Sequence, residues 1–365
     1  MQEYIALDVH KHYTLAEREP VAGGRARQCR IEHRRGCIAG YLADTEPGTT
    51  VALEATGNWY WLVAEIEQAG CLPALVHPRK AKLMLGSINK TDRLDVHGLN
   101  RLQRVGTLPR GWIAPAATRD LRELPRTRMF LAQQRTRLKN RIHANLAKYG
   151  LGVQDCSDAF GVGGRHQIDE QLRQLPPECR TTTRELLQQL DLVQQQMAGQ
   201  ERRIEDLVAL TPSMQRLMSL PGVGRILAVV LALEIGDVSR FASAERLASY
   251  AGTTPRVHAS GQTLRFGRLR SDVNRYLKWA YVEAANCVQL HRRHFPHRHV
   301  TRLYERIARR KGHPKAIGAV ARHLAEASFH VLSRQEDYRE PSRNRRSETR
   351  ATQARSPHEP VRSGD

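Results

Sequence analysis

Along the first hundred residues the apolar positions cluster in short runs separated by turn signals and helix-length stretches. The runs at 4–9, 13–18, 50–54 and 72–77 are β-rich and predict strands. The pattern breaks at Leu108-Pro109-Arg110-Gly111-Trp112, so residues 1–110 predict an α/β domain. From 118 to 149 the chain is a continuous helix former, with Leu131, Leu138, Ile142, Leu146 and Tyr149 on one stripe. A glycine-rich break at 161–164 precedes a second helical stretch at 181–210. There Leu186, Leu190, Val193, Met197, Ile204 and Leu207 keep roughly heptad spacing. That spacing suits a coiled coil between chains or a helical hairpin within one, so residues 111–210 read as a basic helix and coiled-coil region.

Residues 211–334 predict a mainly α-helical domain. It opens on Leu220-Pro221-Gly222-Val223-Gly224, which leads into an apolar helix at 226–235. It closes with amphipathic helices near 271–291, 300–311 and 315–334. Beyond Gln335 the chain turns to Arg, Ser, Glu, Pro and Thr, with no aromatic after Tyr338. Such a segment buries too little apolar surface to offset the entropy of ordering, and 335–365 is expected to be a disordered basic tail.

Charge changes the picture most. Lysine and arginine total 58 against 37 acidic residues, a net +21. An excess this large repels itself and attracts polyanions, so nucleic acid is the expected partner. Between Arg119 and Lys148 stand nine basic residues against only Asp120 and Glu123. Arg135, Lys139 and Arg141 are the candidate phosphate contacts on that strip. No run approaches the roughly 18 apolar residues of a membrane span, and the N-terminus has no signal-peptide pattern. A soluble, cytoplasmic, nucleoid-associated protein without membrane contact is expected. Six scattered cysteines, none in a C-x-x-C pair, are expected to be reduced structural thiols.

Four acids stand out against this basic background. Asp8 lies inside the apolar run Ile5-Ala6-Leu7-Asp8-Val9, and Glu54 ends the run Val51-Ala52-Leu53. A carboxylate in a buried strand is costly unless a cation or hydrogen bonds compensate it. Asp92 and Asp95 open a helix three residues apart, on one face, where acids also complement the helix dipole. Together the four form an oxygen-only set suited to Mg²⁺ or Mn²⁺. Two such ions can polarise a phosphodiester, the chemistry of the RNase H-like nucleases.

The segments Ile5-Ala6-Leu7-Asp8-Val9-His10-Lys11, Leu53-Glu54-Ala55-Thr56-Gly57, His77-Pro78-Arg79-Lys80 and Lys90-Thr91-Asp92-Arg93-Leu94-Asp95 resemble the successive motifs of the DEDD insertion-sequence transposases. So, in the second half, do Leu220-Pro221-Gly222-Val223-Gly224, the run from Glu234 to Phe241, Tyr250-Ala251-Gly252 and Asn274-Arg275-Tyr276-Leu277. The resemblance implies a RuvC-like N-terminal domain in which Asp8, Glu54, Asp92 and Asp95 bind the catalytic metal. It implies a nucleophilic serine, placed here at Ser260 in His258-Ala259-Ser260-Gly261, although Ala259 and Gln262 depart from the usual Ser-Ser-Gly-Gly-like pattern. It also implies donor and target DNA as substrates, an element-encoded bridge RNA as guide, and a homo-oligomer, with the helix at 181–210 as the expected contact. The Pro221-Gly222-Val223-Gly224 turn resembles a helix-hairpin-helix, whose glycines let backbone N–H groups approach phosphate. Gly222 and Gly224, with Asn274 and Arg275, are the further candidate nucleic-acid contacts. Rival readings are a RuvC-like structure-selective nuclease that uses water and a non-enzymatic nucleic-acid-binding protein.

Overall fold

Burial of the run Ile5-Ala6-Leu7-Asp8-Val9 on both faces makes it the centre of a sheet, and the polar-edged strands arrange themselves around it. The computed structural model describes residues 3–86, 91–260, 263–269 and 273–341. They form two compact units, 1–114 and 115–365. In the first, strands β1 (Glu3–Val9), β2 (Tyr13–Pro20) and β3 (Arg27–Glu32) make an antiparallel meander. Helix α1 (Cys37–Tyr41), β4 (Thr50–Glu54), α2 (Trp59–Gln68), β5 (Leu72–Val76), α3 (Pro78–Leu85) and α4 (Asp92–Arg104) follow. The sheet order is β3-β2-β1-β4-β5, with β4 parallel to both β1 and β5. Strand β3 is a departure from expectation. Its residues are almost all exposed, so this edge strand carries no apolar alternation to read.

The two faces of the sheet are different in character. Ile5, Leu7, Val51 and Leu53 pack against Leu62, Val63 and Ile66 of α2. Ala6, Ala52 and Val76 face the other way, against Val96, Leu99 and Leu102 of α4. Alanine at both central positions leaves room for α4 to lie close to the strands. A polar ladder then fixes it. The fully buried Glu17 of β2 accepts from Asn100 Nδ2 (3.0 Å) and Gln28 Nε2 (2.6 Å) and meets His97 Nδ1 at 3.1 Å. Arg104 donates to Glu19 (2.7 Å), and Gln103 donates to the carbonyl of Thr50 (2.9 Å).

The second unit is helical apart from one hairpin. Helices α5 (Ala116–Leu121), α6 (Glu123–Ala147), α7 (Val162–Gln171) and α8 (Pro177–Leu207) are followed by α9 (Pro212–Met218), α10 (Arg225–Ile235) and α11 (Ala244–Tyr250). The hairpin β6 (Pro255–Ser260) and β7 (Thr263–Leu269) precedes α12 (Arg275–Leu290), α13 (His299–Lys311) and α14 (His313–Arg334). Residues 111–210 and 211–334, separate by their sequence patterns, fall in this one unit, except for 111–114.

Three expectations change here. The stripe on α8 is used within the chain: Leu187 and Leu190 pack against Ile142 and Leu146 of α6, and Val193 and Met197 against Leu131. Arg128 pairs with Glu201 and Asn145 with Thr183, so α6 and α8 run antiparallel as a hairpin. Self-association through α8 has to use outward residues such as Leu192 and Leu207, which are exposed. The glycine-rich stretch at 161–164 is no break but the start of α7. A Cβ on Gly164 would come within 2.5 Å of the Ala159 backbone. Past the last helix, residues 335–341 are exposed apart from the half-buried Tyr338 but are tied down: the Tyr338 amide donates to Ser219 Oγ (2.7 Å), its ring lies against His323, and Glu340 accepts from the His299 amide (2.7 Å). The rest of the expected tail, 342–365, lies outside the described residues.

Glu17 gives the first prediction. Glu17→Ala strands Asn100, His97 and Gln28 beside a hole and should cost about 3 kcal/mol. Urea denaturation of the full chain measures it; a loss below about 1 kcal/mol would show that the ladder does not hold α4.

Candidate metal centre and nucleic-acid surfaces

Side chains alternate along a strand, so Asp8 shares the α4 face with Ala6, and Glu54 shares it with Ala52. The register pairs Leu7 with Leu53, which leaves Asp8 and Glu54 as the next residues of two adjacent parallel strands. Helix α4 begins at Asp92, its start fixed by Thr91, whose Oγ1 accepts from the Leu94 amide (3.3 Å). Two strand ends and one helix start thus contribute all four sequence-predicted acids.

The ligand atoms that come together among the described residues are those of Asp8, His10 and Asp92, all within 4.8 Å of one another. His10 Nε2 is 3.1 Å from Asp8 Oδ2 and 3.3 Å from Asp92 Oδ2. Tyr13 stacks on the His10 ring at 4.5 Å, donates its hydroxyl to Asp92 (3.0 Å), and carries the Arg30 guanidinium 3.8 Å above its own ring. Sequence reading missed His10 and Tyr13. The available signal was the spacing Asp8-Val9-His10, which returns the imidazole to the face of Asp8. Asp8 is only 6 % exposed. Burial first, then repulsion from Asp95 and Asp92, pushes its carboxyl above the usual carboxylate range, and His10 opposes them. A buried carboxylate crowded by two others is a site that a divalent cation would relieve, and the donor set fits one. Asp95 acts on Asp8 through this repulsion. Glu54 ends its strand half-buried, outside the converging trio.

In the second unit the basic strip is smaller than its sequence suggests. Arg126 makes two bonds to the buried Glu234 (2.7 and 3.2 Å), Arg122 donates to the Leu233 carbonyl, and Arg128 is tied to Glu201. Lys139 lies 3.7 Å from Asp158 and over the Phe160 ring. Arg137 and Arg141 are exposed, and Arg135 is half-buried beside them. Helix α13 adds a surface that sequence reading passed over. Arg302, Arg306, Arg309 and Arg310 are all exposed on one arc, opposite the buried Val300 and Tyr304.

Two candidate contacts take different roles in the structure. Asn274 caps α12, its Oδ1 accepting from the amides of Tyr276 and Leu277, while its Nδ2 donates to Glu234 (2.9 Å). Its side chain is committed to the fold rather than open to phosphate. Gly222 sits at φ 80, and a Cβ there would come within 2.3 Å of the Ala284 carbonyl, so contact with α12 alone requires glycine. Gly224 is exposed at the start of α10, and Arg275 is exposed at the start of α12, stacked on Tyr276. Ser260 is the last residue of β6, paired in register with Thr263, where a loop was expected. Gly261 and Gln262 lie outside the described residues, as do Lys90, Ser271 and Asp272.

The raised carboxyl of Asp8 has a signed consequence. Its charged form is penalised on folding, so its favourable contribution is complete below the ordinary carboxylate range and is lost as pH rises through the raised value. In chelator at neutral pH, Asp8→Asn should therefore melt at a higher temperature than wild type. The gap should close on acidification below pH 3.8, the unshifted value. Adding Mn²⁺ should raise the melting temperature of wild type only. Thermal scans across pH check this, and a variant less stable in chelator at neutral pH would show that His10, not burial, governs Asp8.

Residues 6–150 match the family model described as a DEDD transposase, and residues 214–300 match the model of the transposase IS116/IS110/IS902 family. A Pseudomonas aeruginosa protein named "Probable family 20 transposase" is 25% identical over 264 residues, 71% of this chain and 77% of the relative. The transposase for insertion sequence element IS1111A of Coxiella burnetii is 25% identical over 292 residues, 79% of each chain. An IS110 insertion-element protein of Streptomyces coelicolor is 32% identical over 150 residues, 40% of this chain and 35% of its own length. With both halves of the chain matched in order and an acidic centre assembled in the first, this protein belongs to the IS110-type DEDD transposases.

Proposed function

We propose that this transposase cuts and rejoins DNA with a divalent cation held at Asp8, Glu54, Asp92 and Asp95 and with Ser260 as nucleophile. The observation that carries the reading is the convergence of Asp8, His10 and Asp92, with Asp95 close enough to disturb Asp8. Mg²⁺ or Mn²⁺ bound there would polarise the scissile phosphate and stabilise the departing oxygen. Tyr13 and His10 orient the carboxylates: one donates to Asp92, and the other bridges Asp92 and Asp8.

Ser260 would attack phosphorus through Oγ. The Oγ–P bond forms, the bond from phosphorus to the 3′ oxygen breaks, and the hydroxyl proton ends on that departing oxygen. The product is a 5′-phosphoseryl link that keeps the bond energy for rejoining. Support comes from the motif match and from the placement of Ser260 at the tip of a hairpin, next to a glycine. The exposed arginines of α6, Gly224 at the start of α10 and Arg275 supply phosphate contacts. A bridge RNA guide and a dimer or tetramer complete the reading by resemblance to the family.

Asp8→Asn, Glu54→Gln and Asp92→Asn should each bring cleavage down to background while DNA binding persists, because the basic surface is untouched. Recombination by Asp8→Asn in Mg²⁺ would overturn the metal assignment. Ser260→Ala should remove the covalent adduct seen by mass spectrometry of trapped complexes; cleavage by that variant would assign the attack to water or another serine. Reversing Arg135, Lys139 and Arg141 to Glu should weaken binding to every DNA sequence alike and flatten its salt dependence by about 0.9 per lost phosphate contact. Fluorescence anisotropy at several salt concentrations measures that slope, and a loss confined to one sequence would make these residues base readers.

A further inference from the structure

Beside the turn that follows β1, three segments of the first unit meet in a concavity. Lys11 comes from the turn after β1, His33, Arg34 and Arg35 follow β3, and Asn58 and Trp61 stand at the start of α2. The cavity is open and holds about 440 Å³, within the range of ordinary small-ligand sites. Its walls are cations, an imidazole, an amide and an indole, with no carboxylate. Among the described residues no acid pairs with Lys11, Arg34 or Arg35. Such a surface suits an anion with an aromatic part.

The segments are fixed by specific bonds. The His33 amide donates to the His12 carbonyl (2.9 Å), and the His33 ring meets Thr14 Oγ1 at 2.7 Å. That ring stands edge-on to Trp61, with centroids 5.0 Å apart. Asn58 Nδ2 donates to the carbonyl of His10 (3.1 Å). The turn after β1 therefore serves two places, with His10 reaching the carboxylates and its neighbour Lys11 reaching the cavity. Trp61 packs on the α2-side core, whereas Asp8 faces α4, so the cavity and the carboxylates lie on opposite sides of the sheet and are joined by this turn.

We propose that the pocket of Lys11, Arg34, Arg35 and Trp61 holds one nucleotide of a single DNA strand, with the cations on its phosphate and the indole against its unpaired base. This rests on the reading of the chain as a transposase that acts on DNA. The class follows from the chemistry: cations alone would take any polyanion, whereas the indole adds a stacking face that a nucleic-acid base can use. Single-strand binding by cations and aromatics in one groove is sequence-tolerant, so the pocket would hold a strand without reading its bases.

The test uses the full chain in chelator, with a single-stranded DNA oligonucleotide as probe. The triple variant Lys11→Gln, Arg34→Gln, Arg35→Gln should bind at least about tenfold more weakly, and its salt slope should be shallower by about 0.7 per lost contact, about 2 in all. With wild-type protein, DNA carrying 5-iododeoxyuridine should crosslink on irradiation to the peptide that contains Trp61, and Trp61→Phe should reduce that crosslink. Wild-type affinity and slope in the triple variant, or crosslinks confined to peptides without Trp61, would overturn the proposal. If an RNA oligonucleotide of the same sequence loses affinity while the DNA does not, the pocket is an RNA site and the DNA assignment falls. No step needs cleavage, so the pocket stands or falls here by itself. The carboxylate reading is judged separately by Asp8→Asn, which should bind this probe as wild type does.

Discussion

Everything in the first unit answers to one electrostatic constraint: a carboxylate with little water around it, at the end of a buried strand, with two more carboxylates near it. Bringing Asp92 and Asp95 up to Asp8 is unfavourable on its own, since after burial their charges push the Asp8 carboxyl further up. Something else has to hold α4 in place. The apolar contacts of Val96, Leu99 and Leu102 supply part of that force, and alanines beneath them allow close approach. The Glu17 ladder supplies direction, because hydrogen bonds to Asn100, His97 and Gln28 are satisfied in one register of helix on sheet. Removing the ladder would let the helix start relax away from Asp8, which the like charges favour.

Positive charge is arranged by the same economy of partners. Of the basic residues on α5 and α6, those nearest the core are used to build it. Arg122, Arg126 and Asn274 gather around Glu234 and join α6, α10 and α12. Only beyond Arg128 does the helix surface keep its arginines for solvent. The nucleic-acid surface is therefore smaller on α6 than its composition implies. It is larger on α13, where four arginines share one exposed arc without serving the core.

Strands and helices with clear periodicity could be read from the sequence, because burial leaves a period in the chain. β1, β2, β4 and β5 were visible for this reason, and so was the hairpin at Ser260 invisible. The segment Pro255-Arg256-Val257-His258-Ala259-Ser260 does alternate, but its apolar side offers only Pro255, Val257 and Ala259, too small a set to mark a strand off from a loop. Exposed β3 left no signal either. The acids stood out because charge inside an apolar run has few explanations. Glycine was the least legible residue. Gly222, read as a phosphate approach, lies against the Ala284 carbonyl, and Gly164, read as a break, lies inside α7 against the Ala159 backbone of the preceding turn. In each case the partner lies far off in sequence or on another turn, where no local pattern records it.

His10 changes what the centre can be. The four acids alone describe an all-oxygen site, the preference of Mg²⁺. The structure sets an imidazole nitrogen between Asp8 and Asp92, so the converging donors are two carboxylates and one nitrogen. Before any cation arrives, this ring offsets part of the repulsion at Asp8. A cation that settles between the carboxylates must then either displace the ring or accept it as a ligand. Ligation would favour ions that accept nitrogen as well as oxygen, Mn²⁺ over Mg²⁺. The stack at 4.5 Å restrains the ring in either case, so Tyr13 governs His10 as firmly as it does Asp92.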